Sequence, residues 1–458
     1  MKVVKFGGSS LASGEQIRKV FDIVMADSER KIVVVSAPGK RYADDIKVTD
    51  LLIQCAEAFL EDKASKELEV ELVLQRYQII TDELSLTSDI VNQIKRNLLA
   101  ALNRDQTDRA QYIEAVKACG EDGLAQLVAA YFSFRGAKAH YVNPREAGLI
   151  VTSEPGNAQV LPESFAHLNR LKERPGIIIF PGFFGYSQSG EVFTFSRSGS
   201  DITGSILANA IQADLYENFT DVDAVYSVNP NFVEEPKEIK ELTYREMREL
   251  SYAGFTVFHD EALIPAFRAG IPVQVKNTNN PQAPGTRIVS TRENANGPVV
   301  GIASDNGFCS LYMSKYLMNR EVGFGRKVLN ILEDLKITYE HVPSGIDDMS
   351  VVLRQDQLNP EVEQEILTRL KQELAVDEVK IEYDLALLMV VGEGMRRNVG
   401  TTARASKALA DAEVNIEMIN QGSSEVSMMF GVKVIEEKRA VKALYEEFFV
   451  RSEYITLR

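Results

Sequence analysis

Residues 2–10 read KVVKFGGSS, a strand-like run with lysines at positions 2 and 5 that ends in an aromatic and then passes straight into two glycines and two serines. Val3 to Phe6 have strand character, whereas Gly7 and Gly8 leave backbone N–H groups uncovered and accept dihedral angles that other residues avoid. Such a strand end is a natural seat for an anion. It is equally an ordinary tight turn of an α/β protein, and nine residues do not separate the two readings.

Working outward, strand-like runs recur at KIVVVSAP (31–38), AKAHYVNP (137–144), PGIIIFPGF (175–183), LYENFTD (215–221) and IPVQVKN (271–277), separated by segments of helical period. This alternation predicts an α/β fold over residues 1–290: an open, mostly parallel sheet sandwiched by helices, with ligands bound beyond the carboxyl ends of the strands. Residues 60–118 break the alternation and read as a helical insertion with Leu68, Leu72 and Tyr77 as apolar positions.

After the loop NNPQAPGTR the grammar changes. NGFCSLYMS (306–314), a helix over 322–335, ITYEHV, MSVVLRQ, a helix from Pro360 to Leu374 and VKIEY follow the βαββαβ order of ferredoxin-like domains. The order recurs from LALLMVVG (385–392) onward, and Gly323/Gly400, Glu340/Glu417 and Ser350/Ser427 each lie 77 positions apart. The expectation is a duplicated unit, one copy over 300–383 and the other over 384–458. Gly323 and Gly400 fall just ahead of helices, whose free N–H groups favour a carboxylate.

Composition narrows the function. A chain of 458 residues suggests two to four domains, and a net charge of −15 disfavours long contacts with nucleic acid or anionic membrane. No run approaches the roughly 18 apolar residues that span a bilayer, and the N-terminus shows no signal-peptide pattern, so a cytoplasmic protein is expected. Cys55, Cys119 and Cys309 are odd in number and far apart, so reduced, partly buried thiols are expected rather than disulfides. His140, His167, His259 and His341 show no metal-ligand spacing.

Four further segments carry polar groups at strand ends or helix starts. Ser36 follows a buried strand and Thr49 opens a helix, where a hydroxyl serves as ligand contact or as helix cap. Glu121 is placed at the start of a helix whose buried stripe is Leu124, Leu127, Val128 and Tyr131. FTFSRSGSDITGS puts Arg197, Gly199, Ser200 and Asp201 between a strand and a helix, and Thr220 and Asp221 end another strand with Tyr226 beyond. Loops after successive parallel strands share one rim of the sheet.

In this order, KFGGSS, SAP, GE, SRSGSD and TDVDAVYSVNP, followed by SYAGFTVFHDEAL and NREVGFGRK, resemble the aspartate kinases of the amino-acid-kinase superfamily, and the C-terminal repeats resemble their ACT regulatory domains. The resemblance covers nearly the whole chain and is strongest to the single-function, lysine-responsive bacterial type. It implies transfer of the γ-phosphoryl group of ATP, with Mg2+, to the side-chain carboxylate of L-aspartate, giving 4-phospho-L-aspartate, the entry to lysine, threonine and methionine.

On this resemblance Lys5, Gly8 and Asp201 are catalytic, and Gly7, Gly8, Ser9 and Ser10 direct N–H groups at phosphoryl oxygens. Ser36, Thr49, Glu121, Arg197 and Ser200 hold aspartate, with Arg197 on its α-carboxylate and Glu121 on its α-ammonium. Thr220, Asp221 and Tyr226 form the nucleotide side. Met318, Gly323, Phe324, Gly325, Glu340, Ser344 and Asp347 take an effector, lysine or threonine, at a subunit interface, so a homodimer or higher homo-oligomer is implied. Two positions depart from the commoner pattern: Asn231 and Thr256 stand where many relatives carry arginine and lysine. Two rivals stay open, another enzyme of the superfamily and a catalytically silent amino-acid sensor.

Overall fold

A computed structural model describes residues 1–255, 258, 261–292, 297–422 and 424–451. Thr256 and His259 lie outside the described residues. The chain divides into two units: Met1–Val225 with Glu238–Arg248 and Thr256–Glu293, and Tyr226–Lys237 with Glu249–Phe255 and Asn294–Arg458.

In the first unit β1 (Lys2–Phe6), α1 (Gly14–Met25) and β2 (Arg30–Val35) lead into four helices, α2 (Val48–Leu60), α3 (Lys66–Glu83), α4 (Asp89–Leu102) and α5 (Arg109–Phe134). Next come β3 (Ala139–Tyr141), two short helices α6 (Pro144–Ala147) and α7 (Glu163–Leu168), β4 (Ile177–Pro181) and the hairpin of β5 (Phe184–Tyr186) and β6 (Val192–Thr194). Helix α8 (Gly199–Ile211) precedes β7 (Leu215–Thr220), the short β8 (Val225–Tyr226), whose second residue is counted in the second unit, and β9 (Glu238–Ile239), then β10 (Glu241–Thr243), β11 (Val273–Asn277) and β12 (Thr286–Val289).

Eight strands form one sheet in the order β10-β12-β11-β7-β1-β2-β4-β3. All neighbours run parallel except β11 and β12, which agrees with the expected mostly parallel sheet. Because β1 is central, its side chains from Val3 to Phe6 are buried on both faces, and that stretch reads as an apolar run interrupted only by Lys5. The chain winds from β1 to β2, β4 and β3 on one side, then returns to β7 and β11 on the other. The order therefore reverses at β1, the position at which such sheets open a ligand crevice.

The helical insertion extends further than its sequence suggests. Helices α2 to α5 pack as a cluster built on Val70, Val73, Tyr77, Ile94, Leu98 and Val128. Of the apolar positions in α3, Leu68 and Leu72 are 56% and 38% exposed; the buried stripe runs through Val70, Val73, Tyr77 and Ile80, with Arg76 among them.

The second unit holds one five-stranded sheet, β14-β13-β15-β17-β16, where β13 is Gly301–Ser314, β14 Asp348–Arg354, β15 Glu378–Val391, β16 Met418–Asn420 and β17 Ser427–Lys433. Strands β13 and β15 are each 14 residues long and are shared by both repeats. Phe308–Ser314 pairs with β14 and with the first half of β15, completing the first repeat. Gly301–Asp305 pairs with Leu387–Val391, so the edge strand of the second repeat comes from sequence ahead of the first.

The 77-residue offset also breaks partway. Helices Phe324–Asp334 and Thr401–Asp411 keep it, but Arg354 opposes Phe308 whereas Lys433 opposes Leu385, so the later strands differ by 79. Two extra residues before β17 make Met429, not Ser427, the counterpart of Ser350. Among the described residues no helix is long and apolar enough to cross a membrane. Cys55 and Cys309 are buried and Cys119 half-buried, all as free thiols.

Candidate active site

The site starts from an amine inside a central strand. Lys5 is only 7% exposed, and a buried ammonium requires a partner. Asp201, in the first turn of α8, supplies it: Nζ lies 2.6 Å from Oδ1. The same oxygen accepts a hydrogen bond of 2.5 Å from Asn218 Nδ2, and Asn218 is the register neighbour of Lys5 on β7. The backbone fixes Asp201 further, since Ser198 caps α8 in the left-handed region at φ 61° and its carbonyl accepts from the Asp201 N–H at 2.8 Å. Lys5 Nζ is 3.6 Å from the point that a Cβ on Gly7 would occupy, so the ammonium sits directly beside the glycine turn.

That turn is tighter than expected. Gly7 N–H donates to the Phe219 carbonyl at 3.1 Å and Ser10 N–H to the Gly7 carbonyl at 3.1 Å, so neither faces a ligand. The Ser10 hydroxyl is buried against that of Thr278 at 2.6 Å. Of the four expected donors, the N–H groups of Gly8 and Ser9 stay free of acceptors among the described residues; Gly7 and Ser10 hold the turn's shape.

Gly8 in turn abuts the loop after β2. Gly39 N–H donates to its carbonyl at 2.9 Å, and a Cβ on Gly39 would stand 2.5 Å from the Gly8 carbonyl carbon. The two loops touch backbone to backbone, a contact only glycine permits.

Gly8, Ser9, Ser36, Thr49, Glu121 and Asp221 line one cavity of about 550 Å³, together with residues 37–43 and Lys47. Six expected site residues from five chain segments are thus brought together on the strand-end rim. Thr49 does not cap α2; the cap position is Lys47, and no side chain bonds there.

Glu121 is not at a helix start. It lies midway along α5, so a first-turn dipole role is removed. It is 5% exposed, its Oε2 has no partner, and burial pushes its carboxyl up to about 8 against the weaker opposing effects of the Ala37 backbone and Lys117. A buried carboxylate oxygen without a donor, facing a cavity, suits a ligand's ammonium.

The remaining residues lie apart from that lining. Arg197 is exposed in the loop before α8. Ser200 is buried behind it, backed by Gly182, where a Cβ would stand 2.7 Å from the Ser200 side chain. Thr220 donates to Asp221 Oδ1 at 3.1 Å. Tyr226 and the exposed Asn231 belong to the second unit.

Three residues that shape the site carry no motif in the sequence. Asn218 is one polar letter in a strand, legible only through its register with Lys5. Gly39 follows a proline in a turn-like stretch, and Arg76 is one cation in a helix of mixed charged and apolar letters.

In the second unit Gly323 and Gly400 cap their helices at φ 78° and 90°, with no side-chain cap bond. Met318 and Phe324 are buried in the core of the first repeat, so only their backbone is available to an effector. Gly325 is half-buried and Ser344 is exposed, bridging to Met349. Asp347 accepts from Leu317 N–H at 2.8 Å. The Glu340 carboxylate accepts from the Tyr252 hydroxyl and lies 3.5 Å from Arg354 Nε.

A buried lysine and carboxylate beside a glycine turn, at the reversal point of a parallel sheet, define a phosphotransferase of the amino-acid-kinase class. Residues 1–277 match the amino acid kinase family and residues 388–448 an ACT domain. Aspartokinase 3 of Bacillus subtilis is 69% identical over 449 residues, covering 98% of this chain and 99% of that protein. The aspartate kinase of Clostridium acetobutylicum superposes with a TM-score of 0.86 at 36% identity, covering 98% and 100% of the two chains. Aspartokinase III of E. coli, solved with aspartate and ADP, gives 0.79 at 25% identity over 98% and 100%. The chain belongs to the amino acid kinase family and, within it, to the aspartate kinases.

Proposed function

We propose that the chain transfers the γ-phosphoryl group of ATP to the β-carboxylate of L-aspartate, giving 4-phospho-L-aspartate at the head of lysine, threonine and methionine synthesis in the cytoplasm. The observation that carries this reading is the Lys5–Asp201 pair beside the Gly7–Ser10 turn.

Aspartate's side chain is ionised at neutral pH, with an ordinary pKa of about 3.9, so no general base is needed. The obstacle is charge: a carboxylate approaching a phosphate costs about 4 kcal/mol per unit pair at roughly 4 Å in an effective dielectric near 20. That is about a thousandfold in rate. Catalysis is then positioning and neutralisation. An ammonium has three donors, so Lys5 keeps Asp201 on one and offers another to the transferred phosphoryl group. The Gly8 and Ser9 N–H groups meet its oxygens.

Glu121 takes the α-ammonium of aspartate and Arg197 its α-carboxylate, with Ser36, Thr49 and Ser200 completing the pocket. Thr220, Asp221 and Tyr226 belong to the nucleotide side. Among the described residues no group of three or more His, Cys, Asp or Glu side chains could hold a metal. Mg2+ would enter with ATP as the MgATP substrate and would offset part of the phosphate charge.

ADP release that depends on added aspartate tests the reaction; release without aspartate, or none, overturns it. Arg197→Lys is expected to raise the aspartate KM about tenfold with little change in the ATP KM, because a lysine cannot reproduce two parallel bonds to a carboxylate.

E. coli aspartokinase III has also been solved with lysine and aspartate, at 25% identity and a TM-score of 0.78. By analogy we assign lysine or threonine to the first repeat, with Gly323 on the effector carboxylate and Glu340 and Asp347 on its ammonium groups. Tyr316, Val322, Ile346 and Val399 are large, apolar and exposed, which supports a homodimer or larger assembly through this unit. Calorimetric titration is expected to give heat with one of the two amino acids; no heat from either, with the fold intact, makes the repeats structural.

A further inference from the structure

The loop between β2 and α2 forms one wall of the cavity and is the basic part of its lining. Lys40, Arg41 and Lys47 face the same space as Gly8, Ser9 and Asp221. Their charges are not equivalent. Arg41 is bound to Asp45 through both Nε and Nη2, each at 2.9 Å. Lys40 and Lys47 are exposed and form no ion pair among the described residues; Lys40 Nζ donates only to the Ala43 carbonyl at 3.1 Å.

The loop does not hang free. Arg76, which reaches it from α3, is 5% exposed. It donates from Nη2 to the Gly39 carbonyl at 2.8 Å and from Nη1 to the Ile46 carbonyl at 2.7 Å, with Nη1 also 3.0 Å from Asp45. One buried guanidinium thus ties both ends of the loop. Through the Gly39–Gly8 bond that anchor reaches the glycine turn itself. Arg41, Arg76 and Asp45 together leave one net positive charge beside the cavity.

We propose that Lys40 and Lys47, on the rim loop that Arg76 holds in place, supply the positive charge that meets the nucleotide's phosphates. This rests on the nucleotide reading above. Lys5 is already paired with Asp201, and Asp221 adds negative charge to the lining, so an incoming polyphosphate needs cations from elsewhere on the wall. Arg76 is a positioning residue: its planar fork spans three acceptors, which an ammonium at the end of a lysine cannot.

The test uses the full chain. Lys40→Met/Lys47→Met alters two exposed side chains and leaves folding alone. Its ADP dissociation constant and ATP KM are expected to rise about tenfold, with the aspartate KM within about twofold. Lys95→Met, an exposed lysine on α4, controls for global charge and changes neither. Arg76→Lys is expected to weaken ADP in the same way, again with the aspartate KM preserved.

Unchanged ADP affinity in the double variant overturns the assignment. A rise confined to the aspartate KM overturns it too, because it gives the lysines to the acceptor. Arg76→Lys that melts like the native protein and binds ADP equally well overturns the positioning role. Calorimetric ADP binding needs no turnover, so it reads the lysines even if aspartate-dependent ADP release fails and the proposed reaction falls.

Discussion

Lys5→Met is expected to lower kcat by about a thousandfold or more at saturating ATP and aspartate, the full cost of letting two anions meet without that charge. The same substitution should destabilise the fold, because it strands Asp201. That carboxylate is 5% exposed and would keep only the Asn218 amide, and breaking a buried pair by removing one partner costs about 3 kcal/mol or more. Activity alone would therefore confound chemistry with unfolding. Lys5→Met/Asp201→Asn separates them, since asparagine removes the stranded charge at nearly constant shape. Its denaturant midpoint is expected to recover most of the loss while turnover stays at the level of Lys5→Met. Recovery of turnover together with stability would make the pair structural. So would a Lys5→Met enzyme that folds normally and keeps kcat within about tenfold of native.

How much of this was legible beforehand differs by element. Strand runs such as IVVV and IIIF announce a sheet buried on both faces, and their spacing gives the parallel order, since crossover helices need that many residues. The face of a helix is less secure where charged and apolar letters mix: in α3 Leu72 is exposed and its neighbour Val73 buried, and a charged residue, Arg76, lies in the buried stripe. The long helix α5 hid Glu121 for a related reason, because CGEDG looks like a helix start, yet both glycines are interior and closely packed. A Cβ on Gly120 would stand 3.0 Å from Ala37 and one on Gly123 3.2 Å from Ile94.

Nothing local could reveal that Gly301–Asp305 pairs with Leu387–Val391, a contact between residues 82 to 90 positions apart. In the site, motif letters located the rim, but not which N–H groups stay free. Gly7 and Ser10 look identical to Gly8 and Ser9 until the Phe219 carbonyl and the turn's own bonds have claimed them.

Glu121→Gln should separate binding from stability with opposite signs. Burial raises the Glu121 carboxyl from its usual 4.5 to about 8. Between those values the folded chain holds a proton that the unfolded chain releases. Its contribution to stability is complete below about 4.5, declines as pH rises and is gone above about 8. Glutamine never ionises, so the variant is expected to melt close to native at pH 5 and above it at pH 9.

Aspartate binding should move the other way. Its α-ammonium requires the ionised carboxylate, so the native aspartate KM should fall as pH climbs toward about 8, with proton release visible as a buffer-dependent binding heat. In Glu121→Gln that slope should flatten. At pH 8 the aspartate KM should stand about a hundredfold above native, the loss of one buried charge-assisted hydrogen bond of about 3 kcal/mol. A variant whose aspartate KM at pH 8 stays within about twofold of native would remove Glu121 from the pocket. The orphaned Oε2 would then belong to the packing of α5 against Ala37, and some other group would have to meet the substrate ammonium.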